Sequence, residues 1–244
     1  MLTLEHIAWA APGGEQILKG IDLTVADGKL TVITGPNGSG KTSLAKLIAG
    51  LEAPSAGRIL LDGEDITSLD ITERAQRGVG YAFQQPVRFK GLIVRDLLEL
   101  AAGGALSEDE LCRLLGQVGL CARDYIDREV NASLSGGEIK RIEIATVLAR
   151  KNLRLAVFDE PEAGIDLWSF EGLIDAFQHL KGASGQSLLI ISHQERILDI
   201  ADEIVVIAAG KVRMAGTKED VLPALMEDEK AGRCPIEKEA VCHE

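Results

Sequence analysis

The chain has 244 residues, enough for one large α/β domain with an inserted subdomain. Its 26 basic and 38 acidic residues give a formal net charge of −12. Since duplex binding needs clustered Lys and Arg, this balance argues against nucleic acid as the main partner. No apolar stretch approaches the roughly 20 residues of a spanning helix, the N-terminus lacks a signal-peptide pattern, and the four cysteines form no CxxC pair. We therefore expect a cytoplasmic protein with reduced thiols and no direct membrane insertion.

The first part of the chain predicts strands and one helix. Residues 2–8 and 17–26 alternate apolar and polar side chains, as half-buried antiparallel strands do. Leu30–Thr34 reads as a buried strand, and Lys41–Leu51 as a helix. Two further strands are predicted at 58–61 and 78–83.

The middle of the chain predicts helices. Leu92–Ala102 and Glu108–Val118 show helical spacing, and Ser107 with Glu110 forms a capping box. A further helix is predicted from Gly136 to about Lys151. Beyond it, predicted strands (153–158, 187–192 and 204–209) alternate with predicted helices (167–181 and 194–200). This order predicts a mostly parallel sheet covered on both faces.

A glycine-rich segment joins the strand Leu30–Thr34 to the helix that begins at Lys41. Its sequence Gly-Pro-Asn-Gly-Ser-Gly-Lys-Thr fits the P-loop pattern, whose glycines let backbone N–H groups surround a polyphosphate. Lys41 adds positive charge at the outer phosphates, and Thr42 offers a hydroxyl to Mg²⁺. A chance match in a turn is the alternative, which the flanking strand and helix disfavour. The predicted nucleotide contacts are Gly35, Pro36, Asn37, Gly38, Ser39, Gly40, Lys41, Thr42 and Ser43.

An acidic pair follows the apolar strand Leu155–Phe158. Asp159 is placed to hold the Mg²⁺ shell, and Glu160 could accept a proton from an attacking water or orient it. A solvated surface pair is the alternative, but the position directly after a buried strand favours the functional interpretation.

A second candidate anion site opens the helix at Gly136. Ser135, Gly136 and Gly137 present a hydroxyl, unobstructed backbone N–H groups and the positive end of a helix dipole. A simple N-cap would explain the same residues. However, one chain already has a complete phosphate cradle, so a second one calls for a different role.

The three motifs in this order resemble the ATPase cassette of the ABC superfamily, over roughly residues 2–222. The resemblance implies that ATP and Mg²⁺ bind, and that an ATP-dependent homodimer forms head to tail. It also implies that the signature residues cap the γ-phosphate bound by the opposite subunit. These signature residues are Ser135, Gly136, Gly137 and Glu138.

The resemblance implies roles for three further residues. Gln84 matches the Q-loop glutamine, a metal contact and hinge, and Asp166 matches the D-loop aspartate that contacts the partner subunit. His193 matches the switch histidine near the γ-phosphate. The implied catalytic set is Glu160, His193 and Asp166, and the implied metal contacts are Thr42, Gln84 and Asp159.

The resemblance sets the fold class and the domain boundaries. We expect an α/β P-loop NTPase with a mostly parallel core sheet, an antiparallel β subdomain and a helical insert. The predicted units are an N-terminal β subdomain with the P-loop core, a helical insert, the signature helix with the rest of the core, and a charged tail that frays. They span residues 1–86, 87–133, 134–226 and 227–244.

One departure concerns the nucleotide base. The family usually stacks adenine on an aromatic side chain near the position of Ala11 and Pro12. Trp9 lies two residues earlier, and we expect it to be a core side chain of its strand rather than a stacking platform. Base selectivity is therefore open.

Finer details resemble the ATPases of the SUF iron–sulfur assembly system, the SufC type. They lie in the Q-loop Ala82–Val87, in the signature continuation Glu138–Ile144, where Glu143 replaces the small residue of transporters, and after His193. Pro161-Glu162 and the short insert depart from that pattern. The main expectation is an ATPase that drives a SufB-type scaffold protein in iron–sulfur cluster assembly.

Two other functions are considered. The alternative is the ATP-binding subunit of a membrane transporter, whose membrane subunit would dock at the helical insert and the Q-loop. A structural or DNA-associated ABC protein is disfavoured by the absent coiled-coil insert and the acidic charge. In the tail, Cys234, Cys242 and His243 match no established zinc spacing, which disfavours a metal or cluster-transfer role.

Overall fold

The computed structural model describes the backbone of residues 1–230 except positions 86, 132 and 184. It describes the side chains of these residues except 167–169, 182, 183 and 226–230. Of the predicted tail 227–244, residues 231–244, with Cys234, Cys242 and His243, lie outside the described residues.

The strands within the described ranges are β1 (Leu2–Ala10), β2 (Gln16–Val25), β3 (Leu30–Thr34), β4 (Ala56–Leu61), β5 (Glu64–Asp65), β6 (Val79–Ala82), β7 (Leu155–Asp159), β8 (Ser187–Ile191), β9 (Glu203–Ala208) and β10 (Lys211–Thr217). The helices there are α1 (Lys41–Ala49), α2 (Ile71–Gln76), α3 (Val94–Ala102), α4 (Glu108–Gln117), α5 (Ala122–Tyr125), α6 (Gly136–Leu148), α7 (Leu167–Ala183), α8 (Glu195–Ile200) and α9 (Lys218–Lys230).

The strands form two sheets. The smaller sheet has the order β2-β1-β4-β5, and its neighbours are antiparallel. The larger has the order β10-β9-β3-β8-β7-β6 and is parallel except for β10. The predicted fold class, a mostly parallel core sheet with an antiparallel β subdomain, is confirmed.

The larger sheet is buried on both faces by different helices. Successive residues of a strand point to opposite faces, so Leu155 and Val157 of β7 join one apolar cluster while Ala156 and Phe158 join the other. Helix α1 packs in the first cluster, and α6 packs in the second together with α3, α4 and α7. Hence α1 and α6 lie on opposite faces of the sheet.

Helices α3 to α5 lie between β6 and α6 in the chain, and α3 and α4 pack against α6. The predicted capping box of α4 is confirmed: Ser107 Oγ accepts a hydrogen bond from the Glu110 amide at 3.3 Å, and Glu110 Oε2 accepts one from the Ser107 amide at 2.8 Å. In the described part of the chain, no helix is both long and apolar enough to cross a membrane.

Candidate nucleotide-binding site

The predicted site residues follow the carboxyl ends of neighbouring parallel strands. The P-loop follows β3, Gln84 follows β6, Glu160 follows β7 and His193 follows β8. Backbone bonds tie three of these ends together: the Ser192 amide donates to Ile33 O at 3.1 Å, and the Glu160 amide donates to Ile191 O at 3.0 Å. The parallel register therefore gathers residues from four distant segments at one edge of the sheet.

The loop between β3 and α1 requires glycine. Gly35 has φ 135°, and a Cβ there would lie 2.0 Å from the carbonyl oxygen of Ile207. Gly40 has φ 99°, and a Cβ there would lie 2.5 Å from a methyl carbon of Leu18. Gly40 is also the N-cap of α1 and makes no side-chain cap. The amide groups at the start of α1 are thus left for a ligand.

Two side chains of this loop fit an anionic ligand. Lys41 is buried, and its ammonium donates to Gly35 O at 2.8 Å and Pro36 O at 2.9 Å. Burial lowers the pKa of Lys41, an effect that the charges of Glu160 and Asp159 partly offset. Ser39 Oγ is buried and makes no hydrogen bond to the described residues. A glycine cradle, a buried ammonium and an unpaired hydroxyl together fit a polyphosphate.

Asp159 and Thr42 converge in a way that fits Mg²⁺. Asp159 is buried, its Oδ1 accepts a hydrogen bond from Thr42 Oγ1 at 3.2 Å, and its Oδ2 accepts one from Tyr81 Oη at 3.2 Å. Burial raises the pKa of Asp159, and the two hydrogen bonds oppose that rise. A carboxylate and a hydroxyl are the hard oxygen ligands that Mg²⁺ takes beside phosphate.

Glu160 has an unusual backbone and a specific partner. Its φ is 43°, in the left-handed region that side-chain-bearing residues seldom occupy. Its Oε2 accepts a hydrogen bond from Gln84 Nε2 at 2.5 Å. The sequence predicted Gln84 as a metal contact, whereas the structure places its amide against Glu160.

Glu162 is a residue of this edge that the sequence analysis did not assign to the site. Ser192 Oγ donates to Glu162 Oε1 at 2.5 Å and accepts from the Gln194 amide at 3.0 Å. This chain of bonds links the loop of Glu160 to the exposed His193, which lies between Ser192 and Gln194. Glu162 Oε2 is buried with no hydrogen bond to the described residues. The sequence signal that could have indicated Glu162 was the departure of Pro161-Glu162 from the SufC-type pattern.

The signature residues lie at the start of α6. Ser135 Oγ accepts from the Glu138 amide at 3.2 Å, and Glu138 Oε2 accepts from the Ser135 amide at 2.6 Å, a capping box. Ser135 and Gly136 are exposed. A Cβ on Gly136 would lie 3.0 Å from Gly164 O, so this helix start packs closely on the loop that leads to the exposed Asp166.

The remaining aromatic candidate behaves as a packing residue. Trp9 is half-buried and packs against the same apolar cluster as α1. This fits the expected core position of Trp9 in its strand.

Comparison with known proteins identifies the family. Residues 18–163 match the ABC transporter family. The uncharacterized ABC transporter ATP-binding protein MJ0035 of Methanocaldococcus jannaschii is 40% identical over 217 residues, which cover 86% of each chain. The crystal structure of the ADP conformation of MJ1267, an ATP-binding cassette of an ABC transporter, has a TM-score of 0.82 at 28% identity, with 98% of this chain and 99% of that chain covered.

A further solved structure supports the fold alone. The dimeric post-hydrolysis state of the cassette MJ0796, bound to ADP and Pi, has a TM-score of 0.79 at 24% identity, with 89% of this chain and 99% of that chain covered. MJ0035 and MJ1267 are named as parts of ABC transporters, which matches the alternative function better than the SufC type. From the family match and from MJ0035, the chain belongs to the ABC transporter family and is an ATP-binding, ABC-type ATPase.

Proposed function

We propose that two copies of this chain close around Mg-ATP and that hydrolysis reopens them, moving a docked partner protein. One observation carries the proposal. The P-loop precedes α1 on one face of the core sheet, whereas the exposed Ser135 and Gly136 open α6 on the other face. We infer from this placement that a second copy brings its signature helix to the P-loop.

The phosphate contacts are assigned to the loop before α1. The amides from Gly38 to Thr42 and the Ser39 hydroxyl would bind phosphate oxygens, and Lys41 would exchange its bonds to Gly35 O and Pro36 O for bonds to phosphate. Such charge-assisted bonds are about twice as strong as neutral ones. Bound phosphate should therefore return Lys41 to a higher pKa.

Thr42 and Asp159 would hold the Mg²⁺, which supplies positive charge to the phosphates. Tyr81 keeps Asp159 oriented by its hydrogen bond. Gln84 is the further contact that the family resemblance implies.

Glu160 is the group that would accept a proton from water or orient it. In the structure Oε2 of Glu160 accepts a hydrogen bond from Gln84, so the other carboxylate oxygen would be the one to bind a water. His193 would bind the outer phosphate, and Asp166 would contact the second copy. Each preorganised donor at developing charge is worth about 3 kcal/mol of transition-state stabilisation.

A groove beside the Q-loop would bind the partner. It has a volume of about 160 Å³ and a mostly apolar lining that includes Leu97 and Ile139. Phe83, Val87 and Phe89 stand at its rim with 38%, 44% and 41% of their surfaces exposed. Exposed apolar clusters of this kind mark interaction sites.

The partner that the relatives' names support is the membrane subunit of a transporter, with this chain on the cytoplasmic side. A SufB-type scaffold is the second candidate. It is favoured by Glu143, where transporters have a small residue. In the structure Glu143 is half-buried, and its carboxylate accepts a hydrogen bond from the Q-loop backbone. A small residue at this position could not make that contact.

Glu160→Gln tests the two-copy site. The variant retains binding but loses the proton acceptor, so with Mg-ATP we expect a dimer by gel filtration with light scattering. The double variant Lys41→Ala/Glu160→Gln, which lacks the phosphate contact, should remain monomeric. A Glu160→Gln chain that stays monomeric at saturating Mg-ATP would contradict the proposal.

Isolation of the tagged Glu160→Gln chain from its host in mild detergent distinguishes the partners. A polytopic membrane protein that co-purifies supports the transporter function. A soluble partner with an iron–sulfur chromophore supports the scaffold. Loss of either partner in a Phe83→Ser/Phe89→Ser chain would assign the contact to the groove.

A further inference from the structure

An ion pair on α6 between a buried lysine and a half-buried glutamate is not accounted for by the nucleotide site. Lys140 is 1% exposed, and its ammonium lies 3.0 Å from Glu143 Oε2, one turn along the helix. A buried ammonium is costly unless each of its protons finds an acceptor. The other acceptors are not on α6: Lys140 also donates to Gln84 O at 3.3 Å and to Phe83 O.

Glu143 completes the contact from the same side. Its Oε1 accepts a hydrogen bond from the Phe83 amide at 2.9 Å. Strand β6 ends at Ala82, so Phe83 is the first residue whose peptide groups have left the sheet. Two side chains of α6 therefore bind both the N–H and the C=O of Phe83, as a neighbouring strand would.

This contact joins two functional ends of one chain. Gln84 directly follows Phe83 and bonds to Glu160, in the chain's own candidate nucleotide site. Lys140 and Glu143 sit on the 13-residue helix that begins beside Ser135, the residue assigned to the nucleotide of the other copy. A helix of this length moves as a rigid body when its packing is retained.

We propose that Lys140 and Glu143 are positioning residues that couple the Q-loop of one active centre to the signature helix that the same chain presents to the second centre. The inference rests on the proposed function. A shift of Gln84 on nucleotide binding carries the Phe83 peptide with it. The pair must follow, because otherwise a buried ammonium and a carboxylate would lose their partners. The start of α6 therefore moves when Gln84 moves and stays in place when Gln84 does.

Hydrogen–deuterium exchange of the full chain tests this coupling within one copy. Exchange is measured with and without Mg²⁺ and a non-hydrolysable ATP analogue, at a concentration where light scattering reports monomers. In the wild-type chain we expect the nucleotide to change exchange in three segments. These segments are the P-loop (35–42), the residues after β6 (83–85) and the start of α6 (136–142).

Glu143→Ala removes the acceptor of the Phe83 amide. We expect that amide to exchange at least about tenfold faster, since a hydrogen bond to a charged group is lost. The response at 35–42 should remain and the response at 136–142 should disappear. Glu143→Gln keeps an oxygen acceptor and should restore part of the response. Exchange at 155–159 reports whether each variant retains its folded core.

Arg141→Met is the matched control. Arg141 is a cation on the same helix, but its guanidinium donates to Gly137 O and Gly119 O, away from the Q-loop. It should keep the wild-type response at 136–142. The proposal is overturned if Glu143→Ala keeps that response, if Arg141→Met loses it equally, or if the wild-type chain shows none. A failure of Glu160→Gln to dimerise would remove the two-copy site and leave this within-chain result standing.

Discussion

Individual carboxylates at the end of β7 differ in their surroundings. Asp159 is buried between the hydroxyls of Thr42 and Tyr81. Glu162 has one oxygen bonded to Ser192 and the other unpaired among the described residues. Burial raises the pKa of Glu162, and the Ser192 bond opposes the rise. Ionisation of Glu162 is therefore less favourable in the folded protein than in the unfolded chain.

Glu162→Gln should change the pH dependence of stability. A carboxyl group whose pKa is raised by folding stabilises the fold fully below its unfolded pKa of about 4.3, and this contribution is lost as pH rises through the folded pKa. The free energy of unfolding of Glu162→Gln minus that of wild type should thus be more positive at pH 8 than at pH 4. Denaturant unfolding at both values measures the difference.

Glu171→Gln is the control, because folding shifts the pKa of Glu171 in the opposite direction. Glu171 is exposed on α7, and its bond to Arg196 lowers its pKa. Its contribution is present above the unfolded pKa and is lost in acid, so this variant should lose stability at neutral pH rather than gain it. Equal pH profiles for both variants would contradict the role of burial at Glu162.

At the scale of elements, α2 holds the end of α1. Arg74 of α2 is 1% exposed, and its guanidinium donates to Ile48 O at 3.0 Å and to Leu47 O in the last turn of α1. It also donates to Thr67 O at 2.8 Å and Leu69 O at 3.0 Å. Because α1 begins at the P-loop, this contact fixes the phosphate-binding helix from its far end.

Arg74→Met should destabilise the fold by about 2–4 kcal/mol, since several buried carbonyls lose their donor at once. Arg74→Lys should recover only part of this, because an ammonium cannot reproduce the planar fork. The control is Arg77→Ala, whose more exposed ion pair with Glu64 should contribute less than about 1 kcal/mol. Urea unfolding measures all three, and equal losses for Arg74→Met and Arg77→Ala would refute the assignment.

The sequence predicts elements well where the side-chain pattern and the residues that end an element, such as glycine, agree. Leu30–Thr34 is found as predicted because a run of one leucine and four β-branched residues ends at Gly35, whose positive φ favours glycine. Helix α2 was missed, although Asp70 and Glu73 form the capping box that marks its start. Strand β10 was missed because its residues are alternately exposed and half-buried, with little apolar signal.

Site motifs follow parallel strands, so topology brings them together without further information. The side-chain contacts between these motifs, in contrast, cannot be predicted from the strand order alone. Gln84 with Glu160 joins positions 76 apart, and Lys140 with Phe83 joins positions 57 apart. No local pattern specifies such pairs, because the first depends on how the segments after β6 and β7 meet and the second on how α6 packs against the end of β6.

At the scale of the whole molecule, each copy carries a formal charge of −12. Two such copies repel each other, and the repulsion is screened over about 10 Å at 0.1 M salt and about 3 Å at 1 M. The proposed dimer must form against this repulsion.

Salt should therefore strengthen the Mg-ATP dimer of Glu160→Gln at saturating nucleotide. We expect its dissociation constant to fall between 0.1 M and 1 M NaCl, measured by light scattering over a dilution series. Lys41→Ala/Glu160→Gln should stay monomeric at both concentrations, which excludes a general salting-out. A dissociation constant that rises with salt would show that opposite charges, not screened like charges, dominate the interface.

The placement of α1 and α6 on opposite faces of one sheet has a consequence for mixtures of damaged copies. A chain with a broken P-loop still carries a sound Ser135 helix start, and a chain with a broken helix start still carries a sound P-loop. In the proposed dimer, these two defective chains would complement each other and rebuild one working centre of two. Copies with the same lesion would rebuild none, whereas a damaged chain paired with a healthy one would keep one working centre of two.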